Sequence, residues 1–110
     1  MKIPSTPFTV VRLARLDRTL APGETGRSFS CTAETPNVRL RLVEYEAGYL
    51  ADHWCERGHV LHVIGGELTV ELQDGRSFAL QAGDSFVVSD RGDSAHRVRT
   101  GAGASVFIAD

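Results

Sequence analysis

The sequence predicts an all-β fold, either a sandwich or a barrel, in a single domain that spans residues 1–110. Several segments alternate apolar and polar residues with a period of two, which is the pattern of strands with one buried face. Glycine and proline separate these segments, and no stretch of ten or more residues has a convincing helical pattern. Apolar residues make up 42% of the chain and charged residues 24%, as in an ordinary globular protein.

Residues 37–45 show this alternation clearly. Leu40 and Leu42 fall on one face of the predicted strand, whereas Arg39 and Arg41 fall on the other. We therefore expect the leucine face of this strand to be the buried one.

A hairpin is predicted farther along the chain. Every second residue of 67–73 is apolar, and Phe78 and Leu80 continue the alternation after a turn at Asp74-Gly75. An Asp-Gly pair between two such segments is a strong hairpin signal, because glycine readily adopts the positive φ that a tight turn needs.

The remaining predicted strands are residues 8–13, 27–33, 49–55, 59–64, 85–89, 95–100 and Ala104–Ala109, which gives about ten short strands in all. Residues 11–20 leave a second interpretation open. Leu13, Leu16 and Leu20 have helical spacing there, in a segment too short to decide between strand and helix.

Composition excludes several classes of function. The net charge of −2 shows no bias toward nucleic acid or an anionic membrane. No apolar run approaches the roughly 20 residues of a membrane-spanning helix, and the first residues lack the apolar core of a secretory signal. We therefore expect a cytoplasmic protein that binds neither nucleic acid nor membrane. Two cysteines, Cys31 and Cys55, are too few for a disulfide framework, and Cys31 is expected to be a small buried side chain.

Four side chains of metal-binding type fall at the ends of predicted strands. His53 and Cys55 are two residues apart and therefore share a face of one strand. His59 follows after a short turn, and His96 begins a later strand. Imidazole and thiolate suit zinc, iron, nickel or copper rather than magnesium or calcium. The sequence thus predicts a site for one divalent transition metal (zinc, iron or nickel), with these four residues as ligands.

The spacing of these residues resembles the first motif of the cupin superfamily, in which Gly, His-x-His, Glu and Gly follow one another at fixed intervals. Here Gly48 is followed by His53-x-Cys55, then by His59 after three residues and by Gly66 after six more. Cys55 therefore stands where the family has its second His, and His59 stands where it has Glu.

The second cupin motif, Gly, Pro-x-Gly and His, is matched more loosely. Gly83 is followed after five residues by Ser89 in place of Pro, and His96 comes after a loop two residues longer. Residues 43–59 are also similar to small single-domain cupins named for an Asp-His-Cys-Trp (DHCW) motif, and the likeness runs from about residue 23 to the last residue. The resemblance implies a double-stranded β-helix, or jelly-roll barrel, around a metal site.

Two states of this site remain open. If Cys55 binds as a thiolate with three imidazoles, the set is a closed tetrahedral zinc site of structural type. If Cys55 stays off the metal, three imidazoles leave open positions, an arrangement similar to the iron-dependent thiol dioxygenases of the superfamily.

Residues near the first motif are candidates for a substrate pocket. Glu44 shares the face of Leu40 and Leu42, where an unpaired carboxylate is costly to bury, and Tyr49 precedes the ligands. Both are predicted to contact a bound small molecule.

Other polar residues are expected to play structural parts. These are His62 on the face opposite the ligands, Asp52 pointing away from them, Trp54 in packing, and Arg97 and Arg99 on a salt-bridged outer face.

The resemblance implies a metal-binding cupin that acts on, or binds, a small organic molecule inside the barrel, with a dioxygenase and an isomerase both compatible. The alternative is a non-catalytic sensing or binding protein, or a structural dimer, with a closed or empty site. A homodimer is expected because a small barrel with unpaired strand edges benefits from cover.

Overall fold

Eight β-strands and one turn of 3-10 helix form the regular structure of the chain, which the computed structural model describes from residue 1 to residue 110. The 3-10 turn is Leu13–Arg15. The strands are β1 (Thr19–Pro22), β2 (Arg27–Glu34), β3 (Arg39–Tyr45), β4 (His59–Leu72), β5 (Ser77–Gln81), β6 (Ser85–Val88), β7 (His96–Arg99) and β8 (Ala104–Ala109). The all-β prediction is confirmed, with fewer strands than expected.

Strand β4 organises the sheet. The strands follow the order β1-β2-β3-β8-β4-β5, with β6 and β7 also paired to β4, and every pair is antiparallel. The first half of β4 pairs with β6 and β8, and its second half pairs with β5 and β7. The register with β8 shifts between Val63 and Gly65, which marks a β-bulge near the middle of the strand. One strand therefore belongs to both layers of a jelly-roll barrel.

The core lies between these layers. Leu61, Val63, Leu68 and Val106 are at most 1% exposed. Three of them alternate along β4 up to the bulge and beyond it, as expected for a strand with one face inside a barrel. The structure contains no helix that is long and apolar enough to cross a membrane.

Two predicted strands do not form. Residues 8–13 pair with no strand, and Phe8 and Val10 are 97% and 59% exposed. Residues 49–55 make only isolated bridges at Leu50 and Cys55, because the chain bends at Asp52 and His53 between them. Residues 11–20, for which strand and helix were both open, form neither a full helix nor one strand. They contain the short 3-10 turn and the first residues of β1.

The faces of β3 are the reverse of the prediction. Val43 is 5% exposed and belongs to the core, and Arg41 lies on its side of the strand. Leu42 lies on the other side, in a groove beside Cys31, which is buried as predicted. The 3-10 turn packs against β2 and β3 and covers this outer face. Apolar side chains therefore pack against other residues on both faces of β3. For this reason, alternation alone does not identify the inner face.

We expect Gly66→Ala to destabilise the fold by about 2–3 kcal/mol, combining positive-φ strain with overpacking. Gly66 has φ +75°, and an added Cβ would overlap the carbonyl oxygen of Gly103. Gly65→Ala is the matched control, because its Cβ would meet nothing closer than 3.8 Å. Urea unfolding midpoints compare the two variants. Equal midpoints would show that the close approach of the strands at Gly66 is not a constraint.

Candidate metal centre

Two strand starts and one isolated β-bridge bring together Cys55, His59 and His96, whose ligand atoms all lie within 4.8 Å of one another. His59 and His96 are the first residues of β4 and β7. Cys55 and His96 exchange two backbone hydrogen bonds, from Cys55 N to His96 O at 2.7 Å and from His96 N to Cys55 O at 3.0 Å. Side chains of such an antiparallel pair project to the same face of the sheet. The backbone ladder itself therefore places the thiol beside the imidazole.

The two imidazoles face each other directly. Nε2 of His59 lies 2.9 Å from Nε2 of His96, and the rings are nearly perpendicular, at 89°. Phe86 packs against both rings, with centroid distances of 5.6 and 5.5 Å. As they stand, the two nitrogens are at hydrogen-bond distance. Two nitrogens that each lie 2.0–2.1 Å from a tetrahedral metal ion would be about 3.3 Å apart, so a movement of roughly 0.4 Å would let both rings bind one ion.

Burial keeps both imidazoles neutral near pH 7. Desolvation, followed by the positive charges of His96 and Arg41, lowers the pKa of His59 to about 4. Desolvation also lowers the pKa of His96. A neutral imidazole keeps a lone pair free for a metal, so the site does not have to release a proton from these rings to bind one.

His53 lies outside this cluster. Its side chain is 76% exposed, and its Nδ1 lies 2.7 Å from Oδ1 of Asp52. The hydrogen bond to His53, against a small opposing effect of burial, lowers the pKa of Asp52. The bend at these two residues turns His53 away from the face that Cys55 occupies. The structure thus brings together three of the four predicted ligands and leaves His53 at the rim.

The three donors open into a cavity of about 140 Å³ inside the barrel. Tyr49, one of the two predicted pocket residues, is buried in its wall, and its ring packs against Tyr45 with 4.6 Å between centroids. Burial raises the pKa of the Tyr45 hydroxyl well above its usual value, so the hydroxyl stays protonated. The wall is completed by Arg41, Ala51, His53, Leu61, Arg97, Val98 and Ile108. A cavity of about this size accommodates a molecule no larger than benzene.

Glu44, the other predicted pocket residue, does not line this cavity. Its side chain is exposed on the outer face of β3, where its Oε2 accepts a hydrogen bond from Arg18 at 3.0 Å. It lines the outer groove beside Leu42. The prediction placed Glu44 correctly on the leucine face but took that face for the inner one.

Arg41 lies in the cavity wall, although alternation placed it on the face opposite the predicted buried one. The buried Nε of Arg41 has no hydrogen-bond partner, and its side chain is 25% exposed. The sequence did contain a signal for this position. Arg41 shares a face of β3 with Val43 and Tyr45, which are both large apolar residues. Reading that set as the inner face would have placed the guanidinium in the barrel.

Asp110 joins the ligands to a group of guanidinium side chains. Its carboxylate is 3% exposed and accepts two hydrogen bonds from Arg39, at 2.8 and 2.7 Å. Arg41 lies 3.4 Å from it and Arg57 3.8 Å. Nδ1 of His59 is 3.9 Å from the same carboxylate, beyond hydrogen-bond distance, and is buried without a partner. The carboxylate is thus the counter-ion beside the cavity.

The remaining predicted structural residues have partners of their own, and among them only Arg97 also lines the cavity. His62 is on the opposite face of β4, with its Nδ1 2.7 Å from Ser85 Oγ. Arg97 packs over Trp54 at 4.4 Å. Arg97 and Arg99 both donate to Glu71, at 3.1 and 2.6 Å, which is the salt-bridged face that was predicted.

We expect Asp110→Asn to lower the free energy of unfolding by about 1–3 kcal/mol, because it leaves partly buried guanidinium groups without their counter-ion. Glu44→Gln is the control, because the ion pair between Glu44 and Arg18 is exposed and such pairs contribute little. Urea unfolding measures both variants. A loss in Glu44→Gln as large as that in Asp110→Asn would contradict this account.

Asp110 also gives a pH dependence. Burial raises its pKa, but the hydrogen bonds from Arg39 and the charges of Arg41 and Arg57 outweigh burial and hold it below its usual value. The stabilisation is therefore complete above the unfolded-state pKa of about 3.9 and is lost as the pH falls through the lower folded-state pKa. Acidification from about pH 7 to about pH 3 should cost Asp110→Asn less stability than the parent chain. Parallel losses in the two proteins would rule this contribution out.

Comparison with known proteins supports the fold. No protein-family profile and no curated protein sequence matches the chain. Among solved structures, KdgF from a Halomonas species is 23% identical over 94% of this chain and 92% of its own, with a TM-score of 0.72. Ectoine synthase from P. lautus is 16% identical over 93% of this chain and 76% of its own, with a TM-score of 0.72.

A sugar phosphate isomerase of the cupin superfamily from Silicibacter pomeroyi is 19% identical over 92% of this chain and 74% of its own, with a TM-score of 0.69. At such identities the likeness establishes the fold and leaves activity to other evidence. Membership of the DHCW subgroup stays a prediction. The chain is built on the jelly-roll barrel of the cupins.

Proposed function

We propose that the chain is a small mononuclear metal-binding cupin that binds, or acts on, a small organic molecule inside the barrel. The observation that carries the proposal is the group of Cys55, His59 and His96, whose donor atoms lie within 4.8 Å and open into the cavity. The residues fit a metal ion: two neutral imidazoles and one thiol are a donor set for zinc, iron or nickel.

Three protein donors distinguish this proposal from a closed structural site. With His53 outside the cluster, one position of a tetrahedral ion would remain for water or a ligand, as in zinc sites of catalytic type. A metal held there would supply Lewis acidity to an oxygen of the bound molecule. Cys55, His59 and His96 would hold it, while Leu61, Val98 and Ile108 give the cavity an apolar wall that excludes water.

Charge also favours a thiolate at Cys55. A dipositive ion lowers the pKa of a coordinating thiol. The thiolate supplies the negative charge that a glutamate supplies in the cupin motif, which here has His59 instead. We therefore assign Cys55 as a ligand, a choice that the spacing of the residues left open.

The predicted partners beyond a small molecule remain proposals. β6 pairs only with β4, so its other edge is free to pair in a homodimer. The cytoplasmic location and the lack of nucleic-acid and membrane binding likewise stay predictions.

Cys55→Ser and His96→Ala should each weaken metal binding by about 100-fold or more, close to 3 kcal/mol. His53→Ala is the matched control, because it removes an imidazole from the same segment whose side chain is 76% exposed, and it should bind within a few-fold of the parent chain. Binding is measured by cobalt(II) titration, which also reports a thiolate-to-metal charge-transfer band.

Elemental analysis of protein purified without an affinity tag identifies the resident metal. Loss of binding in His53→Ala equal to that in Cys55→Ser would restore His53 as a ligand. Full cobalt binding by both Cys55→Ser and His96→Ala, with circular dichroism showing both folded, would end the proposal.

A further inference from the structure

The cavity carries a positive charge that the chain neutralises only in part. The Nε–H of Arg41 is buried and has no hydrogen-bond partner, although a buried charged donor without an acceptor is costly. Burial, followed by the charge of Arg39, lowers the pKa of Arg41 and outweighs the opposing effect of Asp110. Arg41 therefore has unused capacity for an anion.

The count of charges around Arg41 leads to the same result. Arg39, Arg41 and Arg57 approach one carboxylate, that of Asp110, at 2.7, 3.4 and 3.8 Å. Arg39 donates the two short hydrogen bonds to that carboxylate. Three guanidinium groups therefore share one carboxylate. No aspartate or glutamate is among the residues that line the cavity.

The second arginine of the cavity wall is already engaged. Arg97 donates to Glu71 at 3.1 Å, and its guanidinium lies over the ring of Trp54. Arg41 has only the long hydrogen bond to Asp110, at 3.4 Å, and its Nε is unpaired. It is thus the group that would recognise a charged ligand in the same cavity as the three donors.

We propose that the cavity binds a small oxyanion, a carboxylate or a phosphate ester with a short apolar body, through the guanidinium of Arg41. A guanidinium presents a planar fork of donors that matches both kinds of oxyanion. The apolar wall of Leu61, Val98 and Ile108 would contact the body of the ligand, and the volume of about 140 Å³ limits that body to a few carbon atoms.

This inference deepens the proposed function, on which it rests for the metal beside the ligand, but the anion site itself needs only the metal-free chain. The test therefore uses full-length protein treated with a chelator, at constant ionic strength. Isobutyrate and isopropyl phosphate are titrated by calorimetry or NMR, with isobutyramide as the uncharged match for isobutyrate.

At least one of the two anions should bind, whereas isobutyramide should not. Arg41→Met should weaken anion binding at least 10-fold, and Arg41→Lys should keep part of it, since lysine retains the charge without the fork. Arg18→Met is the control, because Arg18 is an exposed arginine of the outer groove, and it should bind like the parent chain. Whichever anion binds more tightly identifies the ligand class.

Binding of neither anion to the parent chain would overturn the inference, and so would equal binding by the parent chain and Arg41→Met. Cobalt(II) titration of the same proteins separates this failure from failure of the metal proposal. Cobalt binding without anion binding removes only the inference, and anion binding without cobalt binding removes only the proposed function. Circular dichroism confirms that the variants are folded, and Arg41→Lys keeps the test valid if Arg41→Met is not.

Discussion

The uninterrupted passage of β4 through both layers of the barrel is the constraint on which the other features depend. Its fourteen residues pair with four different strands. His59 lies at one end of β4, opposite Val88 at the end of β6. The bulge between Val63 and Gly65 lets a single strand turn from one layer into the other. A site at the start of such a strand is held by the core itself and not by a mobile loop.

The site depends on a balance between burial and charge. Burial removes the positive charge of both imidazoles, which prepares them for a metal ion. The guanidinium groups a few ångströms away cannot lose theirs, so one carboxylate, Asp110, holds most of the compensation. The interior of the barrel is therefore neutral at the imidazoles of His59 and His96 and positively charged at the neighbouring arginines. An environment of that kind favours negatively charged groups, whether a thiolate or part of a ligand.

Much of the fold followed from local signals. Asp74-Gly75 forms the predicted turn, and Gly75 has φ +102°, which a side chain rarely adopts. In the second half of β4, alternation identified the buried face of Leu68 and Val70 correctly, because the residues between and beside them are polar. Alternation failed in β3 because its outer face is also covered, and that cover comes from distant segments of the chain.

Prediction of the site met the same limit. Cys55, His59 and His96 lie at strand ends, where the local pattern and the cupin-like spacing agree. His53 was placed on the face of Cys55 by assuming a regular strand, and the bend at Asp52 breaks that assumption. Alternation placed Arg41 on the face opposite the leucines, and only the position of Asp110, far away in sequence, explains its place in the cavity wall.

The bend at Asp52 and His53 separates metal binding, at Cys55, from the control of entry at the mouth of the barrel. In a regular strand, His53 and Cys55 would share one face. Cys55 is fixed by its backbone hydrogen bonds to His96, whereas the side chains of Asp52 and His53 are exposed at the mouth of the barrel. Substitution or insertion at the mouth would change which molecules reach the cavity and leave the affinity for a metal ion unchanged. The residues at the entrance can therefore vary while the three metal-binding residues stay in place.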